Sequence, residues 1–146
     1  MTEAPRDPLS LFAVADKVAI VTGASGAFGA VAAETLASAG ARLMLTAGKA
    51  EELAEVAAGC RCRGAEVEEL AMRPSNEAAC EEIVAAAVAR FGRVDILVVA
   101  SGKNDVSKIV EMAPERFLDV MDANVTQSWL MARAAGKQML AQGEGG

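Results

Sequence analysis

Three glycines spaced three residues apart, Gly23, Gly26 and Gly29, form the part of this 146-residue chain best suited to chemistry. They follow the apolar run 17–22, typical of a strand, and precede an alanine-rich segment typical of a helix. Glycine permits a tight turn and lets the backbone approach a pyrophosphate closely. The following helix offers free N–H groups and the positive end of its dipole. The loop therefore predicts a nucleotide site, with Ser25 as a hydroxyl donor, or else a turn that needs glycine for packing alone.

Nucleophilic and metal chemistry lack the partners they need in this sequence. A serine or cysteine nucleophile requires a base, usually histidine, and the chain has no histidine. Zinc sites need four ligands, so the three cysteines, Cys60, Cys62 and Cys80, are too few to form one. Without a secretion signal we expect reduced thiols. We therefore predict no metal site.

The composition argues against several classes of partner. The net charge of −6 is unfavourable for nucleic acid, whose binding needs a cationic surface. No apolar run approaches the ~20 residues that a membrane span needs. The first residues, MTEAPRDPLSLF, lack the basic start and apolar core of a signal peptide. We expect a cytoplasmic protein without nucleic-acid or membrane partners.

Short apolar runs alternate with helical patterns along the chain. The runs predict strands at residues 17–22, 41–46, 65–72 and 94–100. The helical patterns cover about residues 27–39, 49–63, 76–91, 114–122 and 124–142. The second and fourth runs are almost entirely apolar, which is typical of parallel strands covered on both faces. The alternation predicts an α/β fold with right-handed crossovers.

The fourth predicted strand is the most apolar of all. In a doubly wound sheet the first strand has neighbours on both sides, and a second half of the sheet usually follows. Folded proteins avoid a long, flat, apolar strand at the edge of a sheet. We therefore expect residues 1–146 to be the N-terminal part of a single domain, ending before a fifth strand.

Three segments resemble landmarks of the short-chain dehydrogenase/reductase family, in the family's order: DKVAIVTGASGAFG, ARFGRVDILVVASG and FLDVMDANVTQSWLMARAA. They correspond to the opening strand and glycine loop, the fourth strand with its NNAG turn, and the fifth helix. The resemblance implies the N-terminal part of an NAD(P)-binding Rossmann domain, with strand order 3-2-1-4. It also implies an oxidoreductase that transfers hydride between NAD(P) and an alcohol or carbonyl substrate.

The resemblance further implies which residues catalyse the reaction. Family members use a tyrosine that transfers a proton, a lysine four residues later, a serine and an asparagine. Of these four residues only the asparagine has a counterpart here, at Asn124. The sequence contains no tyrosine. We expect the serine and the Y-x-x-x-K motif to follow residue 146, so that residues 1–146 alone are inactive. An ordinary cap at the start of the last helix is the alternative role for Asn124.

The cofactor site implied by the resemblance lies in the turns that follow the strands. Its residues are Gly23, Ser25, Gly26, Ala27, Phe28, Gly29, Ala47, Gly48, Lys49, Arg73, Pro74, Ala100, Ser101 and Gly102. Several of them depart from the family pattern. Ala27 replaces a glycine of the commoner loop, and Val99 and Ala100 replace the two asparagines of the NNAG turn. Arg73 stands where the family usually has an aspartate near the adenine.

The end of the second strand bears on the choice between NADP and NAD. NAD-binding sites tend to carry an acidic residue there for the ribose hydroxyls. This chain has Ala47 and Gly48, followed by Lys49, so no carboxylate would repel a 2′-phosphate. We predict a preference for NADP over NAD, with Lys49 and Arg73 as candidate cations. A solvated residue that opens a helix is the alternative interpretation of Lys49.

The last helix carries a stripe of Val125, Trp129, Ala132 and Gly136 at helical spacing. It is either packed in the core or, as the family resemblance implies, paired with its copy in a homodimer or homotetramer. Two other functions stay open. One is a non-catalytic nucleotide-binding relative, signalled by Ala27 and the lost asparagines. The other is a methyltransferase, although the missing acidic residue after the second strand counts against it.

Overall fold

The structure is a computed structural model that describes residues 7–143. A 3₁₀ turn, Pro8–Phe12, precedes four strands and five helices in strict alternation up to the fourth strand. The strands are β1 (Val18–Thr22), β2 (Arg42–Thr46), β3 (Val67–Leu70) and β4 (Ile96–Val99). The helices are α1 (Ala27–Ser38), α2 (Ala50–Cys62), α3 (Glu77–Phe91), α4 (Pro114–Met121) and α5 (Gln127–Gln142). Residues 1–6, which entered the signal-peptide prediction, lie outside the described residues.

All four strands are parallel and lie in the order β3-β2-β1-β4, so the predicted α/β fold and strand order are confirmed. The central strand β1 pairs with β2 and β4, and β2 pairs with β3 on its other side. Because the strands are parallel, their carboxyl ends meet at one edge of the sheet. The turns that follow β1, β2, β3 and β4 therefore lie next to each other along that edge.

Helices cover both faces of the sheet, which explains the continuous apolar runs. Ala19 and Val21 of β1 belong to a buried cluster with α1 and α2. Val18 and Ile20 point the other way, into a cluster with α3 and α5. Successive strand residues face opposite sides, so a strand buried on both faces must be apolar at every position. Every residue of β1 is buried accordingly.

The sheet is less covered at β4. Among residues 7–143, β4 pairs only with β1, and its four residues are half-buried where those of β1 are buried. The stripe on α5 is exposed as well: Val125 is 54% exposed and Trp129 60%. The interpretation of this stripe as core is therefore wrong in this chain. Arg133 lies over the Trp129 ring, with its guanidinium carbon 5.6 Å from the ring centre.

The last two predicted helices form one continuous run. A π-helical segment, Asp122–Thr126, joins α4 to α5 without a break. Asn124 lies inside this run, so the alternative interpretation of it as a cap at the start of the last helix is wrong. Within residues 7–143, no helix combines the length and apolar content needed to cross a membrane.

Candidate functional site

A cavity of about 600 Å³ lies at the carboxyl edge of the sheet. The predicted residues that line it are Gly23, Ser25, Gly26, Ala47, Gly48, Arg73, Pro74, Ala100, Ser101 and Gly102. The structure thus brings together the turns after all four strands. The predicted residues that do not line it are Ala27, Phe28, Gly29, Lys49 and Asn124.

Sequence reasoning missed several lining residues: Met72, Ser75, Lys103, Asp119, Ala123 and Gln127. Two kinds of signal were available for them. Met72 and Ser75 flank the predicted Arg73 and Pro74 in the same turn. Asp119, Ala123 and Gln127 recur every four residues, which puts them on one helix face. That face closes the cavity on the side of α4 and α5.

Two of the three loop glycines are required by the packing of the turn itself. Gly23 has φ +65°, and a Cβ there would lie 2.6 Å from the Ser101 backbone nitrogen. A Cβ on Gly29 would lie 2.7 Å from the Gly23 carbonyl carbon and closer still to its oxygen. Real Cβ atoms do not approach the backbone so closely. Glycine at these two positions is explained without any ligand.

The third glycine opens the turn to the cavity. Gly26 is the N-cap of α1, with ordinary extended backbone angles and no side chain to cap the helix. The first N–H groups of a helix have no acceptor within the helix, and the first turn of α1 carries no acidic residue. An unneutralised helix end of this kind favours an anion. Phe28, in the same turn, is 85% exposed.

Two hydroxyl groups link β1 to the turn after β4. Thr22 Oγ1 and Ser101 Oγ lie 3.0 Å apart, and the Ala100 N–H donates to the Thr22 carbonyl at 3.2 Å. Thr22 is fully buried. These bonds occupy the region where the asparagines of the NNAG turn are absent. The link therefore holds the β4 turn against the glycine loop without an amide side chain.

Asn124 fixes the same turn from the other side. Its Nδ2 donates to the Lys103 carbonyl at 2.7 Å and to the Val120 carbonyl at 2.8 Å. Its Oδ1 accepts from the Lys103 N–H at 3.2 Å. A Cβ on Gly102 would collide with that Oδ1, so glycine leaves room for the amide. The amide of Asn124 is thus engaged with the backbone, and a catalytic role for it stays a prediction.

The charged groups around the cavity differ in how they are neutralised. Lys103 forms an ion pair with Asp119. Lys49, the N-cap of α2, pairs with Glu52 at 2.5 Å and does not line the cavity. The side chain of Arg73 has no hydrogen bond or ion pair with any residue in the described part of the chain. Its guanidinium lies across Gly48, where a Cβ would be 3.0 Å from its Cζ and Nη2.

The groups with displaced pKa values lie away from this cavity. Burial raises the pKa of the Cys60 and Cys80 thiols, which keeps them protonated and unreactive. Burial also disfavours the charged form of Asp95, but hydrogen bonds from Arg93 and the Val18 N–H outweigh it, so the pKa of Asp95 is lowered. The hydrogen bond from Arg116 lowers the pKa of Asp105. Residues 7–143 contain no cluster of three or more side chains able to hold a metal ion.

Known proteins resemble this chain in both sequence and architecture. The family model described as short chain dehydrogenase matches residues 17–146. A Mycobacterium tuberculosis protein named as an uncharacterized oxidoreductase is 47% identical over 144 residues, which are 99% of this chain and 53% of that protein.

Two solved structures extend the comparison. A short-chain type dehydrogenase/reductase from Mycobacterium marinum has a TM-score of 0.90 at 30% identity, covering 94% of this chain and 56% of its own. Carveol dehydrogenase from Mycobacterium avium, solved in complex with NAD, has a TM-score of 0.85 at 26% identity, covering 92% and 53%. The chain spans about half the length of the relatives it matches.

Proposed function

The chain belongs to the short-chain dehydrogenase/reductase family, and we propose that it binds the nicotinamide cofactor of an oxidoreductase acting on an alcohol or ketone. The observation that carries this proposal is the cavity at the carboxyl edge of the sheet, bordered by Gly26 and Ser25 at the uncapped start of α1. When bound, the cofactor supplies or accepts the hydride. Since the chain belongs to this family, we do not retain the methyltransferase hypothesis.

The residues of the cavity fit a dinucleotide. Gly26 and Ser25 offer a backbone and a hydroxyl donor for a diphosphate, at a helix end that favours negative charge. Gly48 and Arg73 border the part of the cavity next to β2, and the end of that strand is where dinucleotide folds select the adenosine ribose. Ala100–Gly102 form the wall beside β4. Asn124 positions that wall through its bonds to Lys103.

The family resemblance assigns proton transfer to a tyrosine, and this sequence contains no tyrosine. We propose that the full-length protein supplies it from polypeptide outside residues 1–146. We also propose that the exposed stripe around Trp129 is covered by a second copy in a homo-oligomer. Its exposure, together with its position on a long helix, supports this assignment.

A charge-reversal test at the start of α1 examines the cofactor proposal. Ala27 and Ala50 are both exposed first residues of a helix, and neither helix has a side-chain cap. Aspartate at either position favours its helix dipole, so both variants should fold. Ala27→Asp should weaken NAD⁺ binding about tenfold or more through repulsion of the diphosphate, whereas Ala50→Asp should change it little. Isothermal titration of the full-length protein measures both.

An equal effect of the two substitutions would contradict diphosphate binding at α1. A non-catalytic nucleotide-binding relative is the second candidate, favoured by the apolar Val99 and Ala100 at the asparagine positions. It predicts NAD(P) binding without turnover of any secondary alcohol or ketone in a broad panel.

A further inference from the structure

The turn between β3 and α3 is held firmly against the end of β2. Thr46, the last residue of β2, donates its hydroxyl hydrogen to the Met72 carbonyl. The Ser75 N–H donates to the Arg73 carbonyl at 2.8 Å. Pro74 between them is buried. The backbone on both sides of Arg73 is therefore fixed, and its side chain is presented to the cavity from a defined position.

Gly48 leaves the space that the Arg73 side chain occupies. A Cβ at position 48 would lie 3.0 Å from both Cζ and Nη2 of Arg73, and nearer still to Nε. Any other residue at position 48 would have to displace the guanidinium. The end of β2 carries the ribose-selecting residue in dinucleotide folds. In this chain the side chain beside that position is Arg73, from the turn after β3.

Arg73 is also the one charged group lining the cavity without a counter-charge among residues 7–143. Lys103 and Asp119 neutralise each other. Lys49 is paired with Glu52 and lies outside the lining. A guanidinium without a partner binds a phosphate through paired N–H donors.

From these contacts we propose that Arg73 is the residue that selects a 2′-phosphorylated adenosine, that is NADP over NAD, and that Gly48 is required for its position. Lys49 has no part in the selection. The inference rests on the proposed function, because it assigns a contact within the same cofactor site. It identifies the ligand chemistry as a phosphate monoester on the ribose, next to the end of β2.

Adenosine fragments test this without any hydride chemistry. Adenosine 2′,5′-bisphosphate and 5′-AMP differ only by the 2′-phosphate, and calorimetry on the full-length protein gives the ratio of their dissociation constants. Arg73→Gln should weaken the bisphosphate about tenfold or more, since charged hydrogen bonds to phosphate are strong, and leave 5′-AMP nearly unchanged. Lys49→Gln, the matched control, should change neither. In the wild-type protein, the difference in affinity between the two fragments should become smaller as salt is added, because salt screens an exposed charge such as that of Arg73.

Gly48→Ala tests independently whether glycine at position 48 is required to place the Arg73 side chain. The added methyl meets only the far end of a flexible side chain, so stability should be kept while the bisphosphate preference falls. Three results would overturn the inference. The first is loss of the bisphosphate preference in Lys49→Gln, and the second is an unchanged bisphosphate preference in Gly48→Ala. The third is equal weakening of both fragments in Arg73→Gln, which would indicate that Arg73 stacks on the adenine. Failure of the wild-type protein to bind either fragment or NAD(P) would instead contradict the proposed function.

Discussion

Replacing Gly29 with alanine should destabilise the full-length protein, although alanine is the better helix former. The new Cβ would lie 2.7 Å from the Gly23 carbonyl carbon and 2.9 Å from the Ala24 Cα. Ordinary contact begins near 3.4 Å, and the Gly23 carbonyl oxygen would be nearer still, so the loop would have to retreat by about an ångström or more. It cannot do so freely, because Gly23 is itself pressed against the Ser101 backbone. Overpacking of this kind costs about 1–3 kcal/mol.

Gly59→Ala is the matched control, since both glycines lie within helices. A Cβ at Gly59 meets only the Arg63 and Glu34 side-chain ends, at 3.5 and 3.7 Å. That substitution should stabilise the protein by about 0.5–1 kcal/mol, the usual gain from removing a helical glycine. The two variants should therefore shift the melting temperature in opposite directions, by about 2–4 °C per kcal/mol.

Thermal unfolding followed by circular dichroism, together with an NAD⁺ titration, measures the effect. Gly29→Ala should melt at a lower temperature and bind cofactor more weakly, because the substitution displaces the loop that we propose holds the diphosphate. If Gly29→Ala instead raises the melting temperature as Gly59→Ala does, the loop can move to accommodate the added methyl group at little cost. The steric explanation for the glycine would then be refuted.

Three further outcomes are expected. The pKa of Asp95 is lower in the folded protein, so its carboxylate stabilises the fold fully above the unfolded pKa of about 3.9, and this contribution is lost as pH falls through the folded pKa. Asp95→Asn should therefore flatten the acidic part of the plot of unfolding free energy in urea against pH. An unchanged plot would contradict this role of Asp95. Trp129→Glu should shift sedimentation toward monomer, whereas a monomeric wild-type protein would rule out the proposed interface. A polypeptide of residues 1–146 alone should bind an apolar-surface dye and show no carbonyl reduction, and measurable turnover would contradict the proposed source of the proton donor.

The strands followed from the sequence because their signals are local, whereas their order followed from the family resemblance. Continuous apolar runs mark strands buried on both faces, and the family resemblance supplied the order 3-2-1-4. The ends were less well predicted: the third strand was expected at residues 65–72 and spans Val67–Leu70. The Met72 N–H bonds to the Leu70 carbonyl rather than to β2, so the backbone turns there. No feature of composition signals that local bond.

Other features depend on which surfaces meet, and the sequence carries little information on that. A stripe such as Val125 and Trp129 has the same pattern whether it is buried or exposed. The continuous helix through Asn124 was missed because asparagine is a good cap and a poor interior residue. In the structure its amide is satisfied by Lys103 and Val120, which removes the cost of the interior position.

The departures from the family pattern decide between a working site and a degenerate one. Ala27 lies outside the cavity lining, so its methyl does not crowd the space next to Gly26. The lost asparagines coincide with a hydroxyl pair that holds the same turn, Thr22 with Ser101. The arginine in place of an aspartate coincides with a glycine that makes room for it. A degenerate site would have lost the asparagines and the aspartate without the hydroxyl pair and the glycine that accompany those changes here. These two compensations favour a site that still binds its cofactor.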